Sequence, residues 1–464
     1  MTTLHFESAL LVDGWANNVT VTVTPDGTIN RIMTDCDPSG GQLVPGAALP
    51  GMPNLHSHAF QRAMAGLGEI SGPQRDTGEP DSFWTWRQVM YGFLGALTPE
   101  HIEAIAFKLY VDMLKAGYTS VAEFHYVHHN TDGTPYDDRA ETSRRTIAAA
   151  RSAGIGITQL PVLYNYGGFG GQVATEGQRR FLNSGDEFIQ IVSALYAENA
   201  EDPQVRVGIA PHSLRAVTPE LLDEVVGTLN GFDPKAPIHI HIAEQTKEVD
   251  DCVAWSAQRP VEWLLNNQAV DERWCLIHAT HMTDAETDAM AKTGAVAGLC
   301  PATEANLGDG IFPAVRFAEQ GGIWGIGSDS HISVNAKEEL RWLEYGQRLI
   351  RRQRTVLAGG AERSTGRALF EAALKGGTRA CGRPVGAISE GSRADIIVLN
   401  TEKSPLAGHH GDALLDAWLF ACDTNPISDV FVGGKQVISD GYHHREDRAE
   451  AGMCTTMKNL METT

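Results

Sequence analysis

Eight short apolar runs, separated by segments with helix signals, constrain the fold of this chain more than any other feature. Most of the runs are apolar almost throughout, as is typical of parallel strands buried on both faces. Thr98-Pro99 and Thr218-Pro219 each offer an N-cap threonine before a proline at the first helical position. The alternation predicts an α/β protein with a (β/α)₈ TIM-like barrel, with an open doubly wound sheet as the alternative. The runs cover residues 48–56, 120–125, 156–163, 205–211, 237–242, 274–278, 295–300 and 322–328.

The two chain ends differ in pattern from the barrel region. Residues 1–48 and 385–445 hold short alternating stretches with glycine turns, which predict small antiparallel strands. Neither end is long enough for a domain of its own. We therefore expect both to form one small β-sandwich domain beside a barrel of residues 49–384. Residues 446–464 are polar and are expected to form a tail or a short helix.

Charge and cysteine content limit the partners and the compartment. The chain of 464 residues carries 37 Lys and Arg against 58 Asp and Glu, a net charge of 37 − 58 = −21. Such a balance argues against binding to nucleic acid or to an anionic membrane surface. An acidic small molecule can still bind where Arg or Lys side chains gather locally. The seven Cys are scattered and odd in number, and the N-terminus has no signal-peptide pattern, so we expect reduced thiols and a cytoplasmic location.

Potential metal ligands stand at the ends of the first and fifth predicted strands, the edge where barrel enzymes carry their working residues. His56 and His58 are two apart on an extended chain, so both imidazoles can reach one ion. Of the pair His239 and His241, the second lies nearer the strand end and is the expected ligand. His239 is expected to be a buried, hydrogen-bonded side chain. Glu244 follows His241 by three residues, an offset that suits a proton-transferring acid/base beside the metal.

The sixth and eighth strand ends add further candidates. His278 and His281 follow each other closely, and we favour His278 as a catalytic electrophile or acid because it still lies within the strand. Asp329 ends the eighth strand, where it can complete the metal shell and accept a proton from bound water. Asp329 alone also fits a helix N-cap, but the four strand ends together favour a metal site.

The order of these residues resembles the amidohydrolase superfamily, and the resemblance extends over the whole chain. It implies a barrel with a flanking β-sandwich. The spacing from His241 to Glu244 resembles the deaminase branch, which implies a single Zn²⁺, with Fe²⁺ as a possible substitute. Two-metal members carry a carboxylated lysine at the end of strand four, where this chain has Pro211-His212. The implied metal ligands are His56, His58, His241 and Asp329.

Four longer strings resemble the formimidoylglutamate deiminase family of histidine degradation. The resemblance implies hydrolysis of N-formimino-L-glutamate to N-formyl-L-glutamate and ammonia, and it implies a homodimer. The strings are GMPNLHSHAFQRAMAG at residues 51–66, SFWTWR at 82–87, EFHYVHH at 123–129 and HSLRAVTP at 212–219.

A small acidic substrate with two carboxylates needs fixed cations, which arginine supplies through paired hydrogen bonds. Arg215 follows strand four on the active edge, and Arg87 lies among tryptophans after strand one. The segment over residues 70–97 is too long for a simple connection and is expected to be a lid or a substrate loop. The other expected substrate contacts are Gln61, Tyr126 and His212.

In the expected reaction Glu244 takes a proton from water and returns it to the departing nitrogen, with His278 and Asp329 as catalytic partners. Other functions stay open from the sequence. A deaminase for a neutral purine, pyrimidine or triazine ring, or imidazolonepropionase of the same pathway, would use the same barrel. A non-catalytic barrel that serves as a binding scaffold is the alternative from another class, and it would bind no zinc.

Overall fold

The strands follow the predicted pattern closely. The computed structural model describes residues 1–38, 40–69, 82–361 and 363–463. Strands from the chain ends are β1 (Thr2–Leu11), β2 (Gly14–Val23), β3 (Ile29–Met33), β4 (Gln42–Pro50), β14 (Ile396–Leu399), β15 (Ile427–Val432), β16 (Lys435–Ser439) and β17 (Tyr442–His443). Strands between them are β5 (Met52–Ser57), β6 (Tyr118–His125), β7 (Gly156–Leu163), β8 (Val205–Val207), β9 (Ala210–Pro211), β10 (Ile238–Ile242), β11 (Trp274–His278), β12 (Val296–Leu299) and β13 (Ile323–Ile326).

The chain ends share one sheet, in the order β17-β16-β15-β14-β4-β1-β2-β3. The sheet folds back on itself, because Ile29 at the start of β3 exchanges hydrogen bonds of 2.7 and 2.9 Å with Ser392 and Gly391, just before β14. Phe6 of β1 and Phe431 of β15 meet edge to face inside it, with ring centroids 6.3 Å apart. The sheet therefore encloses its own apolar core, as a sandwich does.

The remaining strands form a parallel barrel. Strands β5 to β8 and β10 to β13 pair in sequence order, and β9 follows β8 along the same side of β7. Bridges between Ile209 and Ile238 and between Ser57 and Asp329 join the two groups. The second joint is made by residues of the expected metal site. The amide of Asp329 donates to the carbonyl of His56 at 3.0 Å, and the amide of His58 donates to the carbonyl of Asp329 at 3.2 Å. The predicted fold, a (β/α)₈ barrel with a β-sandwich built from both chain ends, is confirmed.

The first barrel strand differs from its prediction. The apolar run over residues 48–56 is not one strand, because β4 ends at Pro50 in the sandwich and β5 begins at Met52 in the barrel. Gly51 lies between them and donates its amide to the carbonyl of Asp395 at 2.9 Å. A Cβ at this position would lie 2.2 Å from the Thr119 side chain, so the crossing needs a glycine.

Helices fill the gaps between the barrel strands. The predicted caps are present, since the Thr98 and Thr218 hydroxyls accept the amides of His101 and Leu221. Short 3₁₀ helices cover Ala59–Met64 and Glu176–Gln178. The α-helices are α1 (Phe83–Leu94), α2 (Pro99–Lys115), α3 (Glu141–Ala153), α4 (Gly185–Asn199), α5 (Pro219–Phe232), α6 (Thr246–Ser256), α7 (Pro260–Asn267), α8 (Asp284–Thr293), α9 (Pro301–Leu307), α10 (Ala314–Glu319), α11 (Ala336–Arg351), α12 (Thr365–Cys381), α13 (Asp412–Ala421) and α14 (Glu446–Thr463).

The C-terminal region and the expected lid both contain a helix in the described residues. The region expected to be a tail or a short helix is the 18-residue α14, which packs on α2 and pairs Glu450 with Lys108 at 3.3 Å. Of the expected lid, residues 70–81 lie outside the described residues, and the part that follows contains α1.

Within the described chain, no helix is both long enough and apolar enough to cross a bilayer. The seven cysteines all lie in described segments and are free thiols.

Candidate active site

The expected metal ligands converge at one end of the barrel. His56 and His58 lie at the end of β5, His241 near the end of β10, and Asp329 just after β13. One donor atom from each lies within 4.8 Å of every other, and all four side chains are buried. The Nε2 atoms of His56 and His58 are each 3.4 Å from Oδ1 of Asp329.

The hydrogen bonds of the imidazoles show which nitrogens face inward. Nδ1 of His58 lies 2.8 Å from the carbonyl of Phe124, and Nδ1 of His241 lies 3.2 Å from that of His212. A carbonyl only accepts, so each Nδ1 carries the proton and each Nε2 presents a lone pair. The Nε2 atoms of His241 and His56 are only 3.1 Å apart.

A bound cation would offset the repulsion between these closely spaced lone pairs. Burial lowers the pKa of His56 to about 3 and also lowers that of His58 and of His241, so the three rings are neutral. Burial raises the pKa of Asp329, but hydrogen bonding and charge from His56 outweigh it and hold that pKa below its ordinary value. Three neutral nitrogens and a carboxylate around one point fit a divalent metal.

Backbone strain is concentrated at the same strand ends. Ala243, His278 and Asp329 have φ values of 50°, 67° and 48°, in the left-handed region that disfavours side chains with a Cβ. Each such residue costs on the order of 1 kcal/mol and persists only where its surroundings hold it. The turns after β10, β11 and β13 are therefore fixed by their contacts rather than by local preference.

A buried glutamate holds the chain around His56 and His58, where β5 ends. Glu123 of β6 accepts the Ser57 hydroxyl at 2.5 Å, the Ala59 amide at 2.8 Å and the Tyr110 hydroxyl at 3.1 Å. Burial raises its pKa to about 7, although these hydrogen bonds lower it. Glu123 thus orients the strand end that carries the ligands.

Glu244 and His278 form an acid/base group beside the ligands. Nε2 of His278 lies 3.7 Å from Oε1 of Glu244 and 3.8 Å from Oδ2 of Asp329. Its Nδ1 lies 3.2 Å from Oε1 of Glu304. Burial raises the pKa of Glu244, while the charges of Glu244 and Glu304 raise the pKa of His278 against its burial. The group therefore retains a proton near neutral pH.

Glu248, on the first turn of α6, holds the turn that carries Glu244. Its two carboxylate oxygens accept the amides of Ala243 and Glu244, each at 3.2 Å. Glu248 is fully buried, and its charge raises the pKa of Arg215 against the effect of burial. One carboxylate therefore acts on both the acid/base turn and a predicted substrate contact.

A cavity opens above the ligands. All five predicted substrate contacts line it, namely Gln61, Arg87, Tyr126, His212 and Arg215. Among the other lining residues are His58, His241, Glu244, His278 and Asp329.

Both arginines enter the cavity with unused donors. Nε of Arg87 and Nε of Arg215 are buried and have no hydrogen-bond partner within the described segments. The guanidinium of Arg87 lies 4.7 Å from the centre of the Trp84 ring, and that of Arg215 lies 5.6 Å from it. An acceptor from a ligand would satisfy both groups.

The alternatives left open by the sequence are decided by hydrogen bonds. Nε2 of His239 donates to the carbonyl of Ala380 at 2.8 Å, away from the ligands, as expected of a buried structural histidine. Nε2 of His281 lies 2.8 Å from the carbonyl of Asp309, so His281 belongs to the loop and His278 faces the cavity.

Several site residues were missed by the sequence reasoning. Glu248 and Glu304 lie on helices and resemble ordinary surface carboxylates in the sequence. In the sequence only their positions could have identified them. Glu248 lies four residues after Glu244, and Glu304 lies four residues after the end of the seventh predicted barrel strand, at residue 300. The unpredicted cavity walls include Met90, Tyr91, Tyr164, Phe181 and Thr303.

Comparisons with known proteins agree with this geometry. The amidohydrolase family model matches residues 47–437, and the model for the N-terminal domain of formimidoylglutamate deiminase HutF matches residues 1–43. A formimidoylglutamate deiminase from Pseudomonas aeruginosa is 53% identical over 462 residues, covering 100% of both chains. The crystal structure of an amidohydrolase from Brucella melitensis superposes with a TM-score of 0.93 at 49% identity, covering 99% of this chain and 100% of that one.

A more distant structure shares the fold. An adenosine deaminase from Xanthomonas campestris with bound zinc superposes with a TM-score of 0.81 at 20% identity, over 100% of this chain and 98% of that one. The full-length match to the Pseudomonas enzyme and both family models agree with the prediction made from the sequence strings. The chain therefore belongs to the formimidoylglutamate deiminase family of amidohydrolase-superfamily enzymes.

Proposed function

We propose that this protein hydrolyses N-formimino-L-glutamate to N-formyl-L-glutamate and ammonia in histidine degradation. One observation carries the proposal: two arginines with unused buried donors and the four-residue ligand cluster open onto the same cavity. A linear molecule with two carboxylates and an amidine-like group matches both halves of that cavity. The substrate named for the Pseudomonas aeruginosa relative supports the same assignment.

The metal is proposed to be a single Zn²⁺ held by His56, His58, His241 and Asp329, with Fe²⁺ as a possible substitute. Three imidazole nitrogens and a carboxylate oxygen are typical zinc donors. The zinc in the Xanthomonas campestris adenosine deaminase, which has the same fold, also supports this choice. When bound, such an ion supplies a water whose pKa is lowered towards ~7.

Substrate binding is assigned to the polar side chains above the cluster. Arg87 and Arg215 take the two carboxylates, which would satisfy their unused Nε donors. Gln61 donates from Nε2 to the Tyr126 hydroxyl at 2.7 Å, which leaves its buried Oε1 free to accept an N–H of the formimino group. His212 completes this wall of the cavity.

The acid/base group carries the protons. Glu244 accepts a proton from the water that attacks the carbon of the protonated formimino group, and a C–O bond forms as the C=N double bond becomes single and leaves a terminal NH₂. Glu244 then donates that proton to the terminal nitrogen, which leaves as ammonia when its C–N bond breaks. His278, held by Glu304, stabilises the attacking oxygen, and Asp329 accepts the remaining hydroxyl proton as the formyl C=O forms.

The test compares substrates that differ in one charge. Ammonia release is measured with N-formimino-L-glutamate, with N-formimino-L-glutamine, which lacks the side-chain charge, and with N-formimino-4-aminobutyrate, which lacks the α-carboxylate. Each analogue should lose about 10²-fold in kcat/KM, because a charge-assisted contact to a buried arginine is left unmade. Elemental analysis of the same samples should find one zinc per chain.

Three results would contradict the proposed function or its substrate contacts. Turnover of guanine, cytosine or imidazolonepropionate, with none of N-formimino-L-glutamate, would assign the site to a different hydrolase. A chain without bound zinc, and with no uptake when zinc is added, would favour a non-catalytic barrel. Equal rates on all three formimino compounds would remove the arginines from the substrate contacts.

Two further assignments go with this function. We propose a homodimer, as the family resemblance implies, and its molar mass by light scattering should be near twice the 50.2 kDa of the chain. We also propose a cytoplasmic location, supported by seven free thiols where an oxidising compartment would favour disulfides.

A further inference from the structure

A second cavity lies directly outside the active-site cavity. It has a volume of about 600 Å³, and we call it the outer cavity. Arg87 and Arg215 line both cavities and so stand between them. The other residues that line the outer cavity are Trp84, Gly167, Gly168, Phe169, Gln172, Lys247, Asp251, Ala254 and Trp255.

Three cations surround one aromatic ring in this region. The guanidinium carbons of Arg87 and Arg215 lie 4.7 and 5.6 Å from the centre of the Trp84 ring, and Nζ of Lys247 lies 5.9 Å from it. Cation–π attraction holds each of them weakly, by about 0.5–2 kcal/mol, and does not cancel their charge. Three like charges around one ring favour the arrival of an anion.

The nearby acids offset the charge of this group only in part. Lys247 pairs with Asp251 at 2.8 Å, but both side chains are substantially exposed, at 59% and 43%, so the pair is weak. Glu248 and Glu244 act on Arg215 from the buried side, and Glu248 is already bound to two backbone amides. Among the described residues that line the outer cavity, three cations therefore face one carboxylate.

Aromatic rings form part of the walls of the outer cavity. Trp255 stacks on Phe169 with ring centroids 5.5 Å apart, and Trp84 forms another side. A cleft lined by charges of one sign raises the local concentration of an oppositely charged ligand. This local attraction matters because the whole chain carries a net charge of −21, which repels an acidic substrate at long range.

We propose that the outer cavity is an anion-capture site, in which Lys247 and the outer faces of Arg87 and Arg215 hold a dicarboxylate before it enters the active site. The inference rests on the proposed function, since it concerns the path of that acidic substrate. It assigns to Lys247 a role in the rate of substrate capture. Asp251 has the opposite effect, because its carboxylate offsets the charge of Lys247.

The experiment uses two variants with opposite expected signs. Lys247→Gln removes the outermost cation, and Asp251→Asn removes its neutralising partner. With N-formimino-L-glutamate at about 10 mM ionic strength, Lys247→Gln should lower kcat/KM about three- to fivefold, and Asp251→Asn should raise it about twofold. Both effects should disappear at about 0.5 M salt, where exposed charges are screened.

A matched control separates this local effect from net charge. Lys435 is an exposed lysine on β16 of the sandwich, and Lys435→Gln changes the net charge by the same amount. It should leave kcat/KM unchanged. Changes of the same sign in Lys247→Gln and Asp251→Asn, an equal effect of Lys435→Gln, or a loss that persists at high salt would overturn the inference.

Failure of this inference can be distinguished from failure of the proposed function. Wild-type protein that does not turn over N-formimino-L-glutamate fails the proposed function before any variant is compared. Wild-type protein that turns it over, with both α6 variants at the wild-type kcat/KM at low salt, leaves the function standing and removes the anion-capture site.

Discussion

Glu248→Gln tests whether a helix carboxylate sets the position of the proposed acid/base, Glu244. The substitution keeps the size and shape of the side chain but removes its charge. The amide oxygen of glutamine can still accept one of the two backbone amides of Ala243 and Glu244, which now lie 3.2 Å from the carboxylate oxygens. The other amide then faces an NH₂ group and loses its acceptor. Because Glu248 is fully buried, no water replaces that acceptor.

The magnitude follows from these contacts. A buried amide without an acceptor costs about 1–3 kcal/mol, and Arg215 also loses a nearby negative charge. We expect a decrease of about 2–3 kcal/mol in the free energy of unfolding. Ala243 is held at a φ of 50° by the same contacts, so its release moves Glu244. A misplacement of about 1 Å costs up to ~10²-fold in rate, and we expect kcat to fall about 10- to 10²-fold.

The control is a carboxylate in the same local setting but outside the cavity. Glu286 occupies the third position of α8, is 5% exposed, and accepts the Thr283 amide at 2.8 Å and Nε of Arg259 at 2.7 Å. Glu286→Gln should lower the melting temperature by a similar amount without lowering kcat. The assays are ammonia release and thermal unfolding at a fixed zinc concentration. If both variants lose stability and both keep the wild-type kcat, Glu248 stabilises the fold only, and the positioning argument is refuted.

Three other predictions concern the remaining parts of the site. Glu244→Gln should lower kcat by at least about 10²-fold while zinc content by elemental analysis stays at the wild-type level, because we propose that the residue moves protons and does not bind the metal; near-normal turnover with metal bound would contradict its role. Arg215→Lys should keep the charge but lose the planar paired donors, so kcat/KM should fall about 10- to 10²-fold, with a rise in KM measured in the same ammonia assay; equal kinetics would show that a point charge is sufficient. Removal of metal by a chelator should lower the melting temperature, because a ligand at 100 times its Kd stabilises the folded state by about 2.7 kcal/mol; Zn²⁺ should restore it in the wild type but not in His241→Ala, and a melting temperature indifferent to chelation would argue against a metal at this cluster.

The metal cluster could be predicted because strand geometry is regular. Side chains two apart on a strand share a face, and parallel strands in a barrel end at the same edge. His56, His58, His241 and Asp329 therefore needed only the correct strand assignment to be placed together. In the structure their donor atoms lie within 4.8 Å of one another, as the strand pattern predicts.

The limits of the strand prediction have a local cause. An uninterrupted apolar run is compatible with one strand or with two, and the run around Gly51 belongs to two sheets. The position where the chain passes from one to the other depends on the contact of Gly51 with Asp395 and Thr119, which are far away in sequence. Apolar patterning records that residues are buried and does not record which core buries them.

Supporting carboxylates were hidden for a different reason. Glu248 and Glu304 lie in first turns of helices, where acidic side chains are common because of the helix dipole. In most helices such a residue faces solvent. Here each folds back onto a strand end, towards Glu244 and His278 respectively. For Glu248 that orientation depends on the tight turn before α6, where Ala243 has a positive φ that has no signature in the sequence at alanine.

The net charge of the chain does not show where cations gather in the folded protein. A net charge of −21 excludes basic surfaces only on average, and the sequence contains no basic string at the positions that bind the proposed substrate. Arg87 comes from α1, Arg215 from the loop after strand four and Lys247 from α6, yet all three lie within 6 Å of the Trp84 ring. A polyanion needs a wide basic surface, whereas these three cations gather around a single ring in a chain that is acidic overall. We therefore expect this small cationic cavity to favour small dicarboxylates over polyanions, by the extent of its positive field as well as by its sign.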